Sequence, residues 1–360
     1  MNVMAPVASA VLLVACGART SLHERDGGTG LEGGGGPGGG ASTGSDASST
    51  GGGVAACVPE TFGRPGTTGG VRVELDGDHV YWAYDFGVAR ALLGGGEVED
   101  LAAVGGPMGD LVLDGDRVLV GAHGDLLAIP REGGAPEVLA AATGSIVSLA
   151  VDDDAIYWMA GGDGIFAYTL ERLGRDGSRS VLLGPIDFGR SIALAGDDVV
   201  FTATALPDVD ALGVIARIPR TGGPVTVVAS SRREPTNIFA RGDALYWTEQ
   251  YDALDRPVGV VRLRPGDPSP EVVLAAPPDA LPVWSAATET TVVMTALGGA
   301  GPSSTLYGAP LDGGPTTVLA EDDGIFLETA ASADRVAMTV RPSLEDFEAG
   351  LAQEVRVVCP

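Results

Sequence analysis

A short pattern returns seven times between residues 70 and 358, and it limits what this chain can fold into more than any other feature. Each copy is an alternating apolar run, a tight turn rich in Asp and Gly, and a second apolar run. The first reads Val73-Glu74-Leu75-Asp76-Gly77-Asp78-His79-Val80-Tyr81-Trp82. The second reads Leu111-Val112-Leu113-Asp114-Gly115-Asp116-Arg117-Val118-Leu119-Val120, and the third reads Leu149-Ala150-Val151-Asp152-Asp153-Asp154-Ala155-Ile156-Tyr157-Trp158. Looser copies follow around Gly196, Gly242, Thr290 and Asp334. With the first turn residue as anchor, the copies fall at 76, 114, 152, 195, 241, 288 and 332, spaced by 38, 38, 43, 46, 47 and 44. Self-similarity at a period of about forty residues is the signature of a repeat architecture.

Two more strand signals, split by a Gly-Gly turn, lie between anchors. Leu126-Leu127-Ala128-Ile129-Pro130 before Gly133-Gly134 is one case, and Val214-Ile215-Ala216-Arg217-Ile218-Pro219 before Gly222-Gly223 is another. Four short strands per unit is the layout of a propeller blade. No segment has helical periodicity long enough to compete. The expected fold is all-β, a β-propeller of seven four-stranded blades, with six or eight left open. The last unit shows only three strand signals, at 328–333, 335–341 and 354–358. The ends of the ring are therefore expected to close near Cys57 and Cys359, because an unfastened ring leaves a bare edge.

Tyr246-Trp247-Thr248-Glu249, with Tyr81-Trp82 and Tyr157-Trp158 as half copies, resembles the tetrad that names the YWTD/NHL-like β-propeller superfamily. The resemblance covers residues 70–358. It implies architecture rather than function. YWTD domains usually have six blades, whereas seven units are counted here. Strand alternation sends Tyr and Trp to opposite sheet faces, so at least one of them packs between blades.

The N-terminus has a different composition. Residues 1–15 are apolar, and residues 17–56 are dominated by Gly, Ser, Thr, Asp and Ala. The tetrad Leu13-Val14-Ala15-Cys16 resembles the bacterial lipobox. That resemblance implies residues 1–15 as a signal peptide, an acylated Cys16, and residues 16–56 as a flexible Gly/Ser-rich tether before a propeller at 57–360. A coil of about forty residues reaches roughly 35 Å. Residue 17 is Gly, not the Asp that commonly retains lipoproteins in the inner membrane. The implied location is the cell envelope, as an outer-membrane lipoprotein. Lipidation uses one of the three cysteines and leaves Cys57 and Cys359 to form a disulfide. A loop of about 300 residues closed in that way is worth roughly 4–5 kcal/mol in the chain-entropy model.

The formal net charge is −26, every basic residue is Arg, and there is no Lys. So acidic a chain lacks the basic surface that nucleic-acid binding requires. It is equally unsuited to docking on anionic headgroups by charge alone. Carboxylates leave Ca²⁺ open as a cofactor, and no other is implied.

In a propeller, the first-to-second and third-to-fourth strand turns share one face, here short and acidic or Gly-rich. The opposite, top face carries the connections that vary. From the end of strand two to the next Gly turn the chain runs 13 residues in units one and two, but 21 in unit four and 19 in unit six. Variable loops on a rigid scaffold usually carry recognition. The candidate binding residues are therefore Asp110, Asp187, Arg190, Asn237, Tyr251 and Trp284, with Trp284 equally suited to packing between blades. The recurrent Asp76, Asp114 and Asp152 read as hairpin chemistry rather than metal ligands. Arg241-Gly242-Asp243 matches an adhesion tripeptide but occupies the same turn. Asp208 and Asp210 read as a solvated loop.

Catalytic residues are scarce. The folded part has only His79 and His123, and no Lys for a Schiff base or a phosphate loop. The reading favoured by sequence is a non-enzymatic binding or scaffolding propeller displayed on the cell envelope by a lipid anchor. It would act as a monomer and meet an envelope protein or small ligand on its top face. The alternative is a Ca²⁺-dependent hydrolase or lyase with a carboxylate-lined axial site. Some six-bladed relatives use a Glu/Asn/Asp ligand set there, which is hard to assemble when Asn237 is the only Asn in the folded part.

Overall fold

A computed structural model describes residues 59–64, 72–84, 87–105, 108–141, 143–161, 167–206, 213–298, 304–341 and 353–360. The expected signal peptide, the tether, Cys16, Cys57, Asp208 and Asp210 lie outside these residues.

The described chain forms 28 strands in seven four-stranded antiparallel sheets, with no helix among the described residues. Blade 1 is β2 (Arg72–Leu75), β3 (His79–Tyr84), β4 (Gly87–Leu92) and β5 (Val98–Ala103). Blade 2 is β6 (Met108–Asp114), β7 (Arg117–Ala122), β8 (Asp125–Pro130) and β9 (Glu137–Ala140). Blade 3 is β10 (Ser145–Val151), β11 (Ala155–Gly161), β12 (Ala167–Gly174) and β13 (Arg179–Asp187). Blade 4 is β14 (Ser191–Ala195), β15 (Asp198–Ala203), β16 (Val214–Pro219) and β17 (Thr226–Ala229). Blade 5 is β18 (Arg233–Arg241), β19 (Ala244–Tyr251), β20 (Pro257–Leu263) and β21 (Glu271–Ala275). Blade 6 is β22 (Ala280–Ala287), β23 (Thr291–Gly298), β24 (Ser304–Pro310) and β25 (Thr317–Asp322). Blade 7 is β26 (Ile325–Ala331), β27 (Val336–Arg341), β28 (Gln353–Val358) and, from the other end of the chain, β1 (Glu60–Arg64).

The first strands touch in a closed circle: β2 meets β6, then β10, β14, β18, β22 and β26, which returns to β2. This is a seven-bladed propeller, as the seven anchors predicted. The strand absent from the seventh repeat is β1, which pairs with β28 from Glu60 opposite Val357 to Arg64 opposite Gln353. Two residues separate Glu60 from Cys57, and one separates Val357 from Cys359. Cys359 is not free.

The apolar periodicity explains the core. Each blade buries both faces, so its strands read as near-continuous apolar runs such as Val118-Leu119-Val120. The faces of neighbouring blades merge into clusters that cross the junctions, for example Tyr81 and Val88 of blade 1 with Leu111 and Val118 of blade 2. The tight turns obey the hairpin rules. Asp76 accepts the backbone N–H groups of Asp78 and His79, and Asp152 accepts those of Asp154 and Ala155. Gly115, Gly196 and Gly242 take positive φ at their tips, which a side chain would resist.

Candidate functional site

One repeat position organises the axis. Four residues before each anchor stand Arg72, Asp110, Ser148, Ser191, Asn237, Trp284 and Glu328. All seven are buried on first strands. In blades 2, 3, 5, 6 and 7 the first strand is bulged beside this residue, as the register shifts at Met108/Leu111, Ile146/Ser148, Thr236/Phe239, Pro282/Trp284 and Phe326/Glu328 show. A bulge re-aims the side chain next to it.

The ring residues then reach the next blade. Asp110 accepts the N–H of Leu149 at 2.7 Å, Ser148 accepts that of Ile192 at 3.1 Å, and Ser191 accepts that of Ile238 at 2.9 Å. Asn237 donates through Nδ2 to the Val283 carbonyl. Arg72 donates to Glu328 Oε2 at 2.8 Å, lies 3.6 Å from Asp110 Oδ1, and stacks 5.8 Å from the centre of the Trp284 ring. Burial holds the Glu328 carboxyl well above the usual glutamate range; Arg72 opposes that shift, while Asp110 and Glu74 reinforce it. Among the described residues, no group of three or more His, Cys, Asp or Glu is arranged to hold a metal ion.

The Tyr-Trp-Thr-Glu tetrad has a structural role. Trp247 is fully buried and donates its indole N–H to Glu249 at 2.8 Å, and Arg232 pairs with the same carboxylate at 2.7 Å. Burial raises the Glu249 pKa against those two partners. The half copy at Trp158 has Ala160 where the acid would stand, and its indole nitrogen has no hydrogen-bond partner among the described residues. Tyr246 stacks on Phe239 at 5.2 Å.

The other three candidates belong to blades 3 to 5. Asp187 is exposed, and its backbone bridges to Ala205. Arg190 is half-buried and lies 3.8 Å from Glu234. Tyr251 ends β19 beside a turn in which Arg256 and two backbone N–H groups hold the Asp252 pKa down at about 2. Backbone strain concentrates on this face. Among the described residues, the non-glycine residues with positive φ are His123, Phe188, Ser231, Glu234, Asn237 and Asp255. His123, Phe188, Ser231 and Asp255 lie in top connections, Glu234 at the top of β18 and Asn237 midway along it, whereas each positive-φ residue described in the bottom turns is glycine.

The six residues chosen from sequence therefore divide. Asp110, Asn237 and Trp284 share the buried ring, and Trp284 packs with Val283, Leu281 and Leu297. Asp187, Arg190 and Tyr251 sit at the surface. Arg72, Ser148, Ser191 and Glu328 were not singled out from the sequence, although a fixed offset of four from the anchor would have found them. Also missed were Arg131, Arg175 and Arg220, which follow the third strands. They reach back to Asp76, Asp114 and Asp152 of the preceding blade at 2.8, 2.7 and 2.8 Å. The Asp-rich turns are thus also acceptors for ion pairs between blades.

No protein-family model matches the chain, and no curated protein matches it in sequence. Solved structures do resemble it. An oligogalacturonate lyase in complex with manganese superposes with a TM-score of 0.60 at 14% identity, covering 84% of this chain and 96% of that one. A chain of the mitotic checkpoint complex gives 0.59 at 11% identity, over 89% and 99%. The computationally designed Ika8 protein gives 0.55 at 13% identity, over 82% and 98%. Likeness at these identities is likeness of fold, and it agrees with the propeller.

Proposed function

We propose that this protein is a non-enzymatic binding or scaffolding propeller, tethered to the cell envelope through an acylated Cys16, whose recognition surface is the top face over blades 3 to 5. The observation that carries this reading is the one-sided strain. Left-handed backbone at a residue such as Phe188 or Glu234 costs on the order of 1–3 kcal/mol, and it persists where a required geometry over-determines it. The bottom turns avoid that cost with glycine. Around Arg190 and Tyr251 the chain carries it with side chains in place.

The direction of β1 supports the same reading. It starts at the bottom face and runs to the top, so the chain enters the propeller at its bottom face. The reading includes membership of the YWTD/NHL-like superfamily, a disulfide between Cys57 and Cys359, and placement in the outer membrane.

Three measurements test it. Cys16→Ser should release the protein from membranes and block lipid labelling; unchanged membrane association rejects the anchor. Thiol titration of the unreduced, exported protein should find neither Cys57 nor Cys359 reactive. Arg190→Ala with Tyr251→Ala should lose partner capture from envelope extracts, while Asp114→Ala keeps it; the reverse pattern would put recognition on the bottom face. The Ca²⁺-dependent hydrolase becomes the better reading if calorimetry finds tight Ca²⁺ binding together with chelator-sensitive turnover of an ester or lactone panel.

A further inference from the structure

The hairpin of β19 and β20 rises above most of its neighbours. β19 runs ten residues past its anchor Arg241, to Tyr251, whereas β3, β7 and β15 end eight past theirs. Two more strand residues lift the tip by roughly 7 Å. β23 of blade 6 is as long, but the residues that follow it lie outside those described. At the tip of the blade 5 hairpin stands Leu254, 71% exposed. The other exposed large apolar side chains among the described residues lie on strands: Leu92 ends β4, and Val138, Val181, Val227, Val272 and Val318 occupy fourth strands. Those valines suit the pleated surface of an edge strand. Leu254 has no strand to serve. The turn that carries it is closed by its own polar groups. Asp252 accepts the backbone N–H groups of Leu254 at 2.8 Å and Arg256 at 3.1 Å, and its second oxygen accepts Arg256 Nε–H at 2.7 Å. The Asp252 N–H donates to the Arg256 carbonyl, and the Asp255 N–H to the Asp252 carbonyl. From β18, Arg233 pairs with Asp255 at 2.6 Å and donates to the Asp252 carbonyl at 3.3 Å.

We propose, resting on the top face as the recognition surface, that Leu254 is the anchor of the interface and that its partner is a folded protein with an apolar pocket of leucine size. The shape of the site selects the partner. Small molecules are held in concave sites, whereas Leu254 projects, so the concavity must belong to the other molecule. One leucyl side chain offers too little apolar area to hold the domain on lipid, and a formal charge of −26 opposes anionic headgroups. The charges beside Leu254 suit a protein pocket. Arg233 and Arg256 are matched by Asp255 and Asp252, so a partner can cover the rim without burying an unpaired charge. The turn is already fixed by its hydrogen bonds before any contact, which spares the interface the ordering cost of a loose loop.

The test uses the full chain with photo-leucine in place of leucine, which puts a diazirine at position 254 while keeping an aliphatic side chain. Irradiated on isolated envelopes, it should give a protein adduct that mass spectrometry maps to Leu254. Unlabelled full chain should suppress that adduct, and Leu254→Met should suppress it as well as wild type. Leu254→Asp should need at least about tenfold more, as loss of an interface anchor requires. All three competitors should unfold at the same midpoint, because the side chain is exposed. No adduct at Leu254, or an adduct with lipid alone, would overturn the proposal. So would full competition by Leu254→Asp. If Leu254→Asp competes fully while Arg190→Ala with Tyr251→Ala does not, the top face recognises through other residues and only the anchor is wrong. If both compete fully, the top-face reading falls with it.

Discussion

Blades 1 to 4 and blades 5 to 7 face the same problem of fastening one sheet to the next, and they solve it with different chemistry. The early junctions repeat a device. An arginine after the third strand reaches the turn Asp of the blade before, and at Arg175 and Asp114 the pair is bidentate, with both bonds at 2.7 Å. At the axis, Asp110, Ser148 and Ser191 each accept an N–H from the following blade. In the later half the anchors are Arg241, Thr288 and Ser332, which offer no carboxylate. There Arg262 and Arg264 reach forward to Asp312, and Arg356 pairs back to Asp322. The later ring residues include a tryptophan. Several buried hydroxyls in this half, those of Thr236, Thr295, Thr329 and Thr339, have no hydrogen-bond partner among the described residues. A propeller blade thus needs an apolar face with a polar staple, and the identity of the staple is free to drift.

The comparison fails first, and by most, if the late ring does not depend on packing. Trp284→Ala should cost about 3–5 kcal/mol in chemical denaturation, the usual cost of emptying a buried indole site. A loss under about 1 kcal/mol would mean that Trp284 is dispensable to the core and free to serve a ligand. The early ring should fail differently. Ser191→Ala removes little volume but leaves the buried Ile238 N–H without its acceptor, so a cost of about 1–3 kcal/mol is expected.

How much of this was legible follows from the same contrast. The blade count was readable because hairpin chemistry and apolar alternation are local, and a period near forty exposes them even in drifting copies. The closing strand was readable only as a deficit, since Glu60–Arg64 has no copy of the motif and its partner β28 lies at the far end of the chain. The ring was half legible. Asp110 and Asn237 drew attention as candidates for the top face rather than for a buried ring, while Ser148 and Ser191 look unremarkable until the anchor offset is applied. Arg72 and Glu328 were hidden for another reason: their meeting depends on ring closure, at a separation of 256 residues. The strain on the top face could not be read at all, because nothing in Phe188 or Glu234 announces a positive φ.

The bottom staples should show a smaller, salt-sensitive effect. Asp114→Ala should cost about 1 kcal/mol at low salt, since its arginine partner is partly exposed and the pair is screened. Thr288→Ala, at the matching anchor of blade 6, should cost less, and raising the salt to 1 M should bring the two variants together. A persistent gap at high salt would show that Asp114 acts through its turn rather than through Arg175.

The smallest effect is expected on the top face, at Asp187→Ala. The carboxylate is exposed, and what ties this position to its neighbours is main chain: the Asp187 N–H donates to the Ala205 carbonyl, and the Asp187 carbonyl accepts from Thr204. Alanine preserves both bonds, so stability should stay within about 0.5 kcal/mol of wild type. That near-silence makes the position informative. At Trp284 a lost function could always be a lost fold, because the same indole would serve both. At Asp187 the two separate, and a variant that unfolds normally yet captures less partner would locate recognition over blades 3 and 4. Loss of stability well beyond 0.5 kcal/mol would instead mean that the strained turn at Phe188 relies on this carboxylate, and that the top face is held by the side chains it was expected to present.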